Sequence, residues 1–129
     1  VPRIPGERSP ESPRVTPPTS VATQPRSACV APYGDTDAVK RCVEETLRDE
    51  GLGWLWDSGW AATVVFCESR WSPTAVSPYG HLGLWQIDPR WFNGIWAALA
   101  GPWSEPEANT RAAAHIYRVQ GPRAWSCSP

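Results

Sequence analysis

Tryptophan and proline divide this chain into two parts that cannot fold alike. All nine tryptophans lie at or after Trp54, whereas eight of the fifteen prolines lie within residues 1–32. Residues 1–28 are dominated by Pro, Ser, Thr and Arg, with few apolar side chains. Such a segment cannot offset its ordering entropy by burial, so it is expected to be a disordered, partly extended Pro-rich linker. Residues 29–129 carry all the large aromatic area and are expected to form one domain of about a hundred residues. A core of that size benefits from covalent staples.

Four cysteines, Cys29, Cys42, Cys67 and Cys127, are available for this. None belongs to a CxxC pair of the kind that binds zinc or does redox chemistry. An even count in a small domain points to disulfides and an oxidising compartment rather than to four free thiols in a cytosolic protein. Four cysteines allow three connectivities. The favoured pairing is Cys29–Cys42 with Cys67–Cys127. The first would tie a short leading segment to a helix, the second a helix end to the C-terminal tail. Closing the second, long loop would contribute about 4 kcal/mol in the chain-entropy picture. Net charge is −1, which carries no electrostatic footprint for nucleic acid. No apolar run is long enough to span a bilayer.

Periodicity predicts a mostly α domain. The first helix is expected over 35–50, capped by Asp35 or Thr36 and stopped by Gly51, with Val39, Cys42, Val43, Thr46 and Leu47 on one face. Residues 52–57 read as an aromatic turn. The second helix is expected from Gly59 to about Ser69, capped by Asp57 or Ser58, burying Trp60, Val64 and Cys67. A Ser-Pro-rich loop follows over 70–82. The block 83–87 is apolar and glycine-led, a short strand or tight turn. Asp88-Pro89 is an N-cap and first-turn pair for a helix over 89–100. A Ser104-Glu105-Pro106-Glu107 capping box opens a last helix to about Gln120, burying Ala108, Ala112, His115 or Ile116, and Val119, and ended by Gly121-Pro122.

The stretch from Cys67 to Phe92 carries the chemistry. Glu68 closes an apolar helix, so its neighbours and the negative end of the helix dipole both disfavour the carboxylate and raise its pKa. A general acid working near neutral pH needs that property. Glu68-Ser69, an aromatic at Trp71, then Pro73, Ala75, Ser77, Gly80 and Gly83-Leu84-Trp85-Gln86 fix about nine positions over some twenty residues. This pattern resembles the lytic transglycosylase (SLT-like) branch of the lysozyme superfamily, with Trp85 where methionine is commonest. The string GLWQIDPRWF is also similar to the segment after the active-site turn of animal c-type lysozymes. The resemblance covers roughly residues 58–127 and is stronger than that to resuscitation-promoting-factor domains.

The resemblance implies a small, mostly α (α+β lysozyme-like), disulfide-stapled domain with a β-turn or hairpin at its cleft. It implies cleavage of the β-1,4 bond between N-acetylmuramic acid and N-acetylglucosamine in peptidoglycan, without metal or other cofactor. In this family one glutamate, here Glu68, acts first as acid and then as base, and the product carries a 1,6-anhydro end. The c-type lysozymes place a second acid two residues before the glycine of the block. His81 stands there, which favours the single-acid mode. Asp88 reads as a helix cap. Ser69 and Gln86 match family positions that contact the sugar. Trp85, Tyr79 and His81 are further candidates for the cleft. The family's later A-Y-N-x-G motif, whose tyrosine touches the acid, is absent, and Tyr117 or Trp125 is expected to supply that wall. The expected partner is the peptidoglycan glycan strand, met by a monomer outside the cytoplasm, with any leader absent from this chain. Hydrolysis as a muramidase, a chitin-active enzyme, and an inactive glycan-binding module on the same fold are the alternatives.

Overall fold

The computed structural model describes Cys29, residues 35–93 and residues 101–129. The expected linker over 1–28 and the second half of the expected 89–100 helix lie outside these residues. The domain is mostly helical, with α1 at Thr36–Asp49, α2 at Gly53–Asp57, α3 at Trp60–Ser69 and α4 at Pro106–Gln120. Short 3-10 segments lie at Pro89–Phe92 and Pro122–Ala124. Among the described residues, β-pairing is limited to two isolated antiparallel bridges, Val76 with Leu82 and Leu82 with Ile87.

Local chemistry sets the helix ends. The Asp35 carboxylate accepts from the Asp37 N–H at 2.9 Å and caps α1. Val39, Cys42, Val43, Thr46 and Leu47 form its buried face. Residues 53–57, expected as a turn, close a short helix that turns Leu55 inward. Gly59, at φ +86°, is the N-cap of α3, while the Ser58 hydroxyl accepts from the Trp60 N–H at 3.2 Å. Ala61, Val64, Val65 and Ser69 are the buried residues of α3. Trp60 is half-buried and Cys67 is exposed, so the buried face is rotated from the expected one.

For α4 the N-cap is Glu105, with no side-chain capping bond, rather than the expected Ser104 box. Pro106 at the first position fixes the backbone entry and needs no N–H partner there. Its interior differs from the expected pattern. Ile116 takes the core position beside a half-buried His115, and Val119 is 50% exposed. Arg111 of α4 ties itself to the end of α1 through Asp49 (2.9 Å) and Glu50 (2.6 Å), and to Glu107 at 2.7 Å. Arg118 adds a second contact to Glu50 at 2.9 Å.

The core joins α1, α3 and α4 through Val39, Val43, Val64, Val65, Ala112 and Ile116. Leu84 and Trp85, from the turn after the long loop, are 0% and 1% exposed. Trp60, Trp85 and Trp125 pack on one another with ring centroids 5.5–6.0 Å apart, the spacing of favourable aromatic contacts.

One buried polar residue holds this arrangement together. Asn109 is 1% exposed. Its Oδ1 accepts from the Trp85 N–H at 2.8 Å, and its Nδ2 donates to the carbonyls of Leu82 (3.2 Å) and Trp103 (3.0 Å). Asn109→Ala would take their partner from the Trp85 N–H and the Trp103 carbonyl, while the Leu82 carbonyl would keep the Ile87 N–H at 2.9 Å. It is expected to lower the unfolding free energy by about 3 kcal/mol, measured by denaturant titration. A loss under about 1 kcal/mol would show that the clamp is not needed.

Candidate active site

Glu68 is the next-to-last residue of α3. The helix stops immediately after it, and the stop is unusual. Arg70 and Trp71 both have positive φ, at 55° and 64°, a conformation that non-glycine residues adopt at a cost. The Arg70 N–H closes the helix on the Phe66 carbonyl at 2.9 Å. Trp71 is held in place by burial, by an edge contact with Trp56 at 6.3 Å and by the Lys40 ammonium 5.5 Å from its ring. The strained corner ends α3 one residue after Glu68.

The Glu68 carboxyl is half-buried, and burial pushes its pKa above the ordinary value. Two groups oppose the shift: the backbone N–H of Cys127, and the charge of His81. Burial wins. The residue before Glu68 is bonded to the tail through the Cys67–Cys127 disulfide; a second disulfide joins Cys29 to Cys42.

His81 sits on a turn wound around Ser77. The Ser77 hydroxyl accepts from the N–H groups of Tyr79 and His81, both at 3.1 Å. The Ser77 N–H donates to the His81 carbonyl at 3.0 Å, and the Gly80 N–H to the Ser77 carbonyl at 2.9 Å. Gly80 has φ +83°, which explains the glycine. Tyr79 is 86% exposed at the tip, with its ring 6.5 Å from that of His81.

The following turn, Gly83 to Gln86, is packed from below by Asn109. Gly83 has φ +75°, and a Cβ there would stand 2.9 Å from Asn109 Cγ and 3.0 Å from the Trp103 carbonyl oxygen. Only glycine fits. Gln86 also takes positive φ, at 51°, and its Nε2 donates back to the carbonyls of Ala75 (3.2 Å) and Gly83 (3.0 Å). Its amide N–H groups therefore brace the loop.

A cavity of about 270 Å³ lies beside this turn, lined by His81, Gln86, Asp88, Trp91, Gln120 and Trp125 among others. A second hollow of about 370 Å³ shares Asp88, Arg90, Trp91 and Gln120. Glu68 is not part of either lining. His81 connects the two regions, since it acts electrostatically on Glu68 and on Asp88. Asp88 accepts from the Arg90 N–H and is paired with its guanidinium at 2.7 Å, which holds its pKa down to about 2. It caps the 3-10 segment and stays ionised.

Not every sequence candidate reaches the cleft. Trp85 is enclosed, and its indole N–H donates to Thr110 Oγ1 at 3.1 Å. It has no face for a sugar and is a core residue. Ser69 is 8% exposed and donates its hydroxyl proton to the Val65 carbonyl at 3.2 Å, inside its own helix. Tyr117 packs edge-on against Trp54 and Trp60. Trp60 starts the helix whose next-to-last residue is Glu68, about 12 Å of helix rise away. Trp125, not Tyr117, lines the cavity beside the turn, with its indole N–H on the Trp85 carbonyl at 2.9 Å. Asn109 and Thr110 were absent from the sequence candidates. Asn109 shares the helical spacing of Ala113 and Ile116, which was the available signal.

Among the described residues, no group of three or more His, Cys, Asp or Glu is placed to hold a metal ion, and no helix is long and apolar enough to cross a membrane. A small, mostly helical domain with two disulfides is consistent with a lysozyme-like fold. The chain belongs to the transglycosylase SLT domain family, whose model matches residues 52–118. No curated protein and no solved structure matches it. Membership supports a transglycosylase-type activity on peptidoglycan at the level of the family.

The raised pKa of Glu68 links to stability with a definite sign. Because the folded value lies above the unfolded one, protonated Glu68 favours the folded state below the unfolded pKa. That contribution is lost as pH rises through the folded value. Glu68→Gln, which cannot ionise, is therefore expected to melt higher than the wild type at pH 7, with the gap closing near pH 4, in thermal unfolding across that range. A variant that melts lower at pH 7 would show that the carboxylate is net stabilised.

Proposed function

We propose that this domain is a lytic transglycosylase that cleaves the β-1,4 bond between N-acetylmuramic acid and N-acetylglucosamine, with Glu68 as single general acid and base. The observation that carries this reading is the half-buried Glu68, its pKa raised by burial, within the stretch that the family model matches. Protonated Glu68 donates to the bridging oxygen as the C1–O bond breaks. The substrate's N-acetyl oxygen supports the positive charge developing at C1. The substrate's 6-hydroxyl then attacks C1 and returns its proton to Glu68, closing the 1,6-anhydro ring without consuming water.

The surroundings favour a single acid. The position of a second carboxylate is His81, and Asp88 is committed to Arg90 and to its capping bond. In the proposed complex Gln86 presents its side-chain oxygen to the sugar, because its N–H groups are already used. Tyr79, His81 and Trp125 form the polar and aromatic walls. Ser69, through its helix bond, positions Glu68 rather than meeting the sugar. The enzyme works as a monomer outside the cytoplasm, where the two disulfides persist. Hydrolysis is the second reading, favoured by one observation: Asp88 is ionised beside His81, where it could orient a water.

Glu68→Gln is expected to lower turnover on purified peptidoglycan by roughly 10²- to 10⁴-fold while binding to the wall persists. Mass spectrometry of fragments released in heavy-oxygen water separates the chemistries. Unlabelled anhydro ends are expected; labelled reducing ends would establish hydrolysis. Binding without any release by the wild type would make this a glycan-binding module.

A further inference from the structure

Two hollows adjoin beside the turn. The one of about 270 Å³ holds His81, Gln86 and Trp125, the proposed walls for sugar. The other, of about 370 Å³, is lined by Asp88, Arg90, Trp91 and Gln120, which also line the first. Its chemistry is an ion pair, a ring and an amide. The Arg90 Nε and Nη2 donate to the two Asp88 carboxylate oxygens, at 3.1 and 2.7 Å. The same carboxylate accepts from the Arg90 backbone N–H at 3.0 Å, so the pair is fastened to the main chain. A guanidinium gripped along its Nε side keeps its second fork, Nη1 and the outer N–H of Nη2, turned away from that carboxylate. Among the described residues nothing meets this fork, and the side chain is 85% exposed. An exposed pair of this kind adds little to stability. Its effect is to hold a free two-donor fork at the hollow. Trp91 is met edge-on by His115, with ring centroids 5.6 Å apart, and Gln120 ends α4 with an exposed side chain.

On the proposed reading of a glycan strand in the adjoining cavity, we infer that Arg90 is a specificity-determining residue: its free fork takes a carboxylate of the peptide branch of peptidoglycan, seated in the hollow of Asp88, Arg90, Trp91 and Gln120. A strand beside the turn carries its branches on the lactyl groups of muramic acid, and a branch needs a space that opens off the sugar site. This hollow shares its walls with that site. A carboxylate matches a planar two-donor fork bidentately, whereas an uncharged N-acetyl sugar offers it no anion. The Trp91 ring gives the branch an apolar wall, and the Gln120 amide can bond its backbone. Because Asp88 offsets the charge of Arg90, selection for the branch comes from contact rather than from a long-range field.

Soluble glycan strands whose branch carboxylates are either free or converted to carboxamides differ in this charge alone. Wild-type kcat/KM is expected to be about fivefold lower on the carboxamide strands, through KM. Arg90→Gln is expected to bring the free-carboxylate strands down to the carboxamide level, and Arg90→Lys to recover part of the difference. Arg41→Gln, which removes an exposed charge from α1, is expected to keep the whole difference. Equal wild-type values on the two strands, or a difference that survives Arg90→Gln, would overturn the inference. A loss in Arg41→Gln as large as in Arg90→Gln would also overturn it, by reducing the effect to net charge. If the wild type releases nothing from either strand, the enzymatic reading fails, and dissociation constants for the same proteins and strands decide the branch site separately. A preference for free carboxylates that Arg90→Gln abolishes would support the site; no preference would overturn it.

Discussion

Three backbone groups from separate stretches meet on the side chain of Asn109. The Trp85 N–H and the Leu82 carbonyl belong to the turn that carries Gln86, and the Trp103 carbonyl to the segment leading into α4. With almost no regular β-structure in the described residues, the loop over 70–88 has few ladder bonds to define its shape. A buried amide offering two donors and an acceptor supplies what a sheet would supply elsewhere. The requirement is mutual, because Asn109 can approach this closely only where Gly83 has no Cβ. Trp85 is then driven under the turn, and Trp60 and Trp125 pack on it. The cavity beside the turn is lined in part by that stack, through Trp125.

Above it, opposing influences balance on the Glu68 carboxyl. Burial raises the pKa of Glu68; an amide and an imidazole lower it. In the proposed reaction one residue gives a proton and then takes one back, and such a balance serves both steps, since either extreme would slow one of them. The two left-handed residues after Ser69 fit the same picture. Their conformational cost is borne where the chain must leave the helix abruptly, and the aromatic packing of Trp71 holds them there.

How much of this was legible from sequence depends on how far the determining contact lies along the chain. The caps of α1 and the stop at Gly51 are written within a few residues, and they are where local chemistry places them. Gly80 and Gly83 announced turns that the backbone angles explain. Asn109 could be placed on the buried face of α4 by spacing, but nothing local says that its partners are 24 and 27 residues away. Trp85 could equally have faced sugar or core, because a tryptophan suits both. The burial of the turn decides it. Tyr117 has the right residue type on the right helix, yet the packing of Trp54 and Trp60 takes its ring to the wrong end of α3. Val119 continues the apolar period of α4 beyond the last turn that still has a neighbour to cover it.

As the proposed acid, the Glu68 carboxyl must stay protonated at higher pH than an ordinary glutamate. A carboxyl-carbon NMR titration of the folded protein, with Glu68 assigned through its loss in Glu68→Gln, reads this directly. The account predicts a midpoint clearly above the ordinary glutamate value of 4.5. A midpoint at or below it would contradict the assignment of Glu68 as the acid.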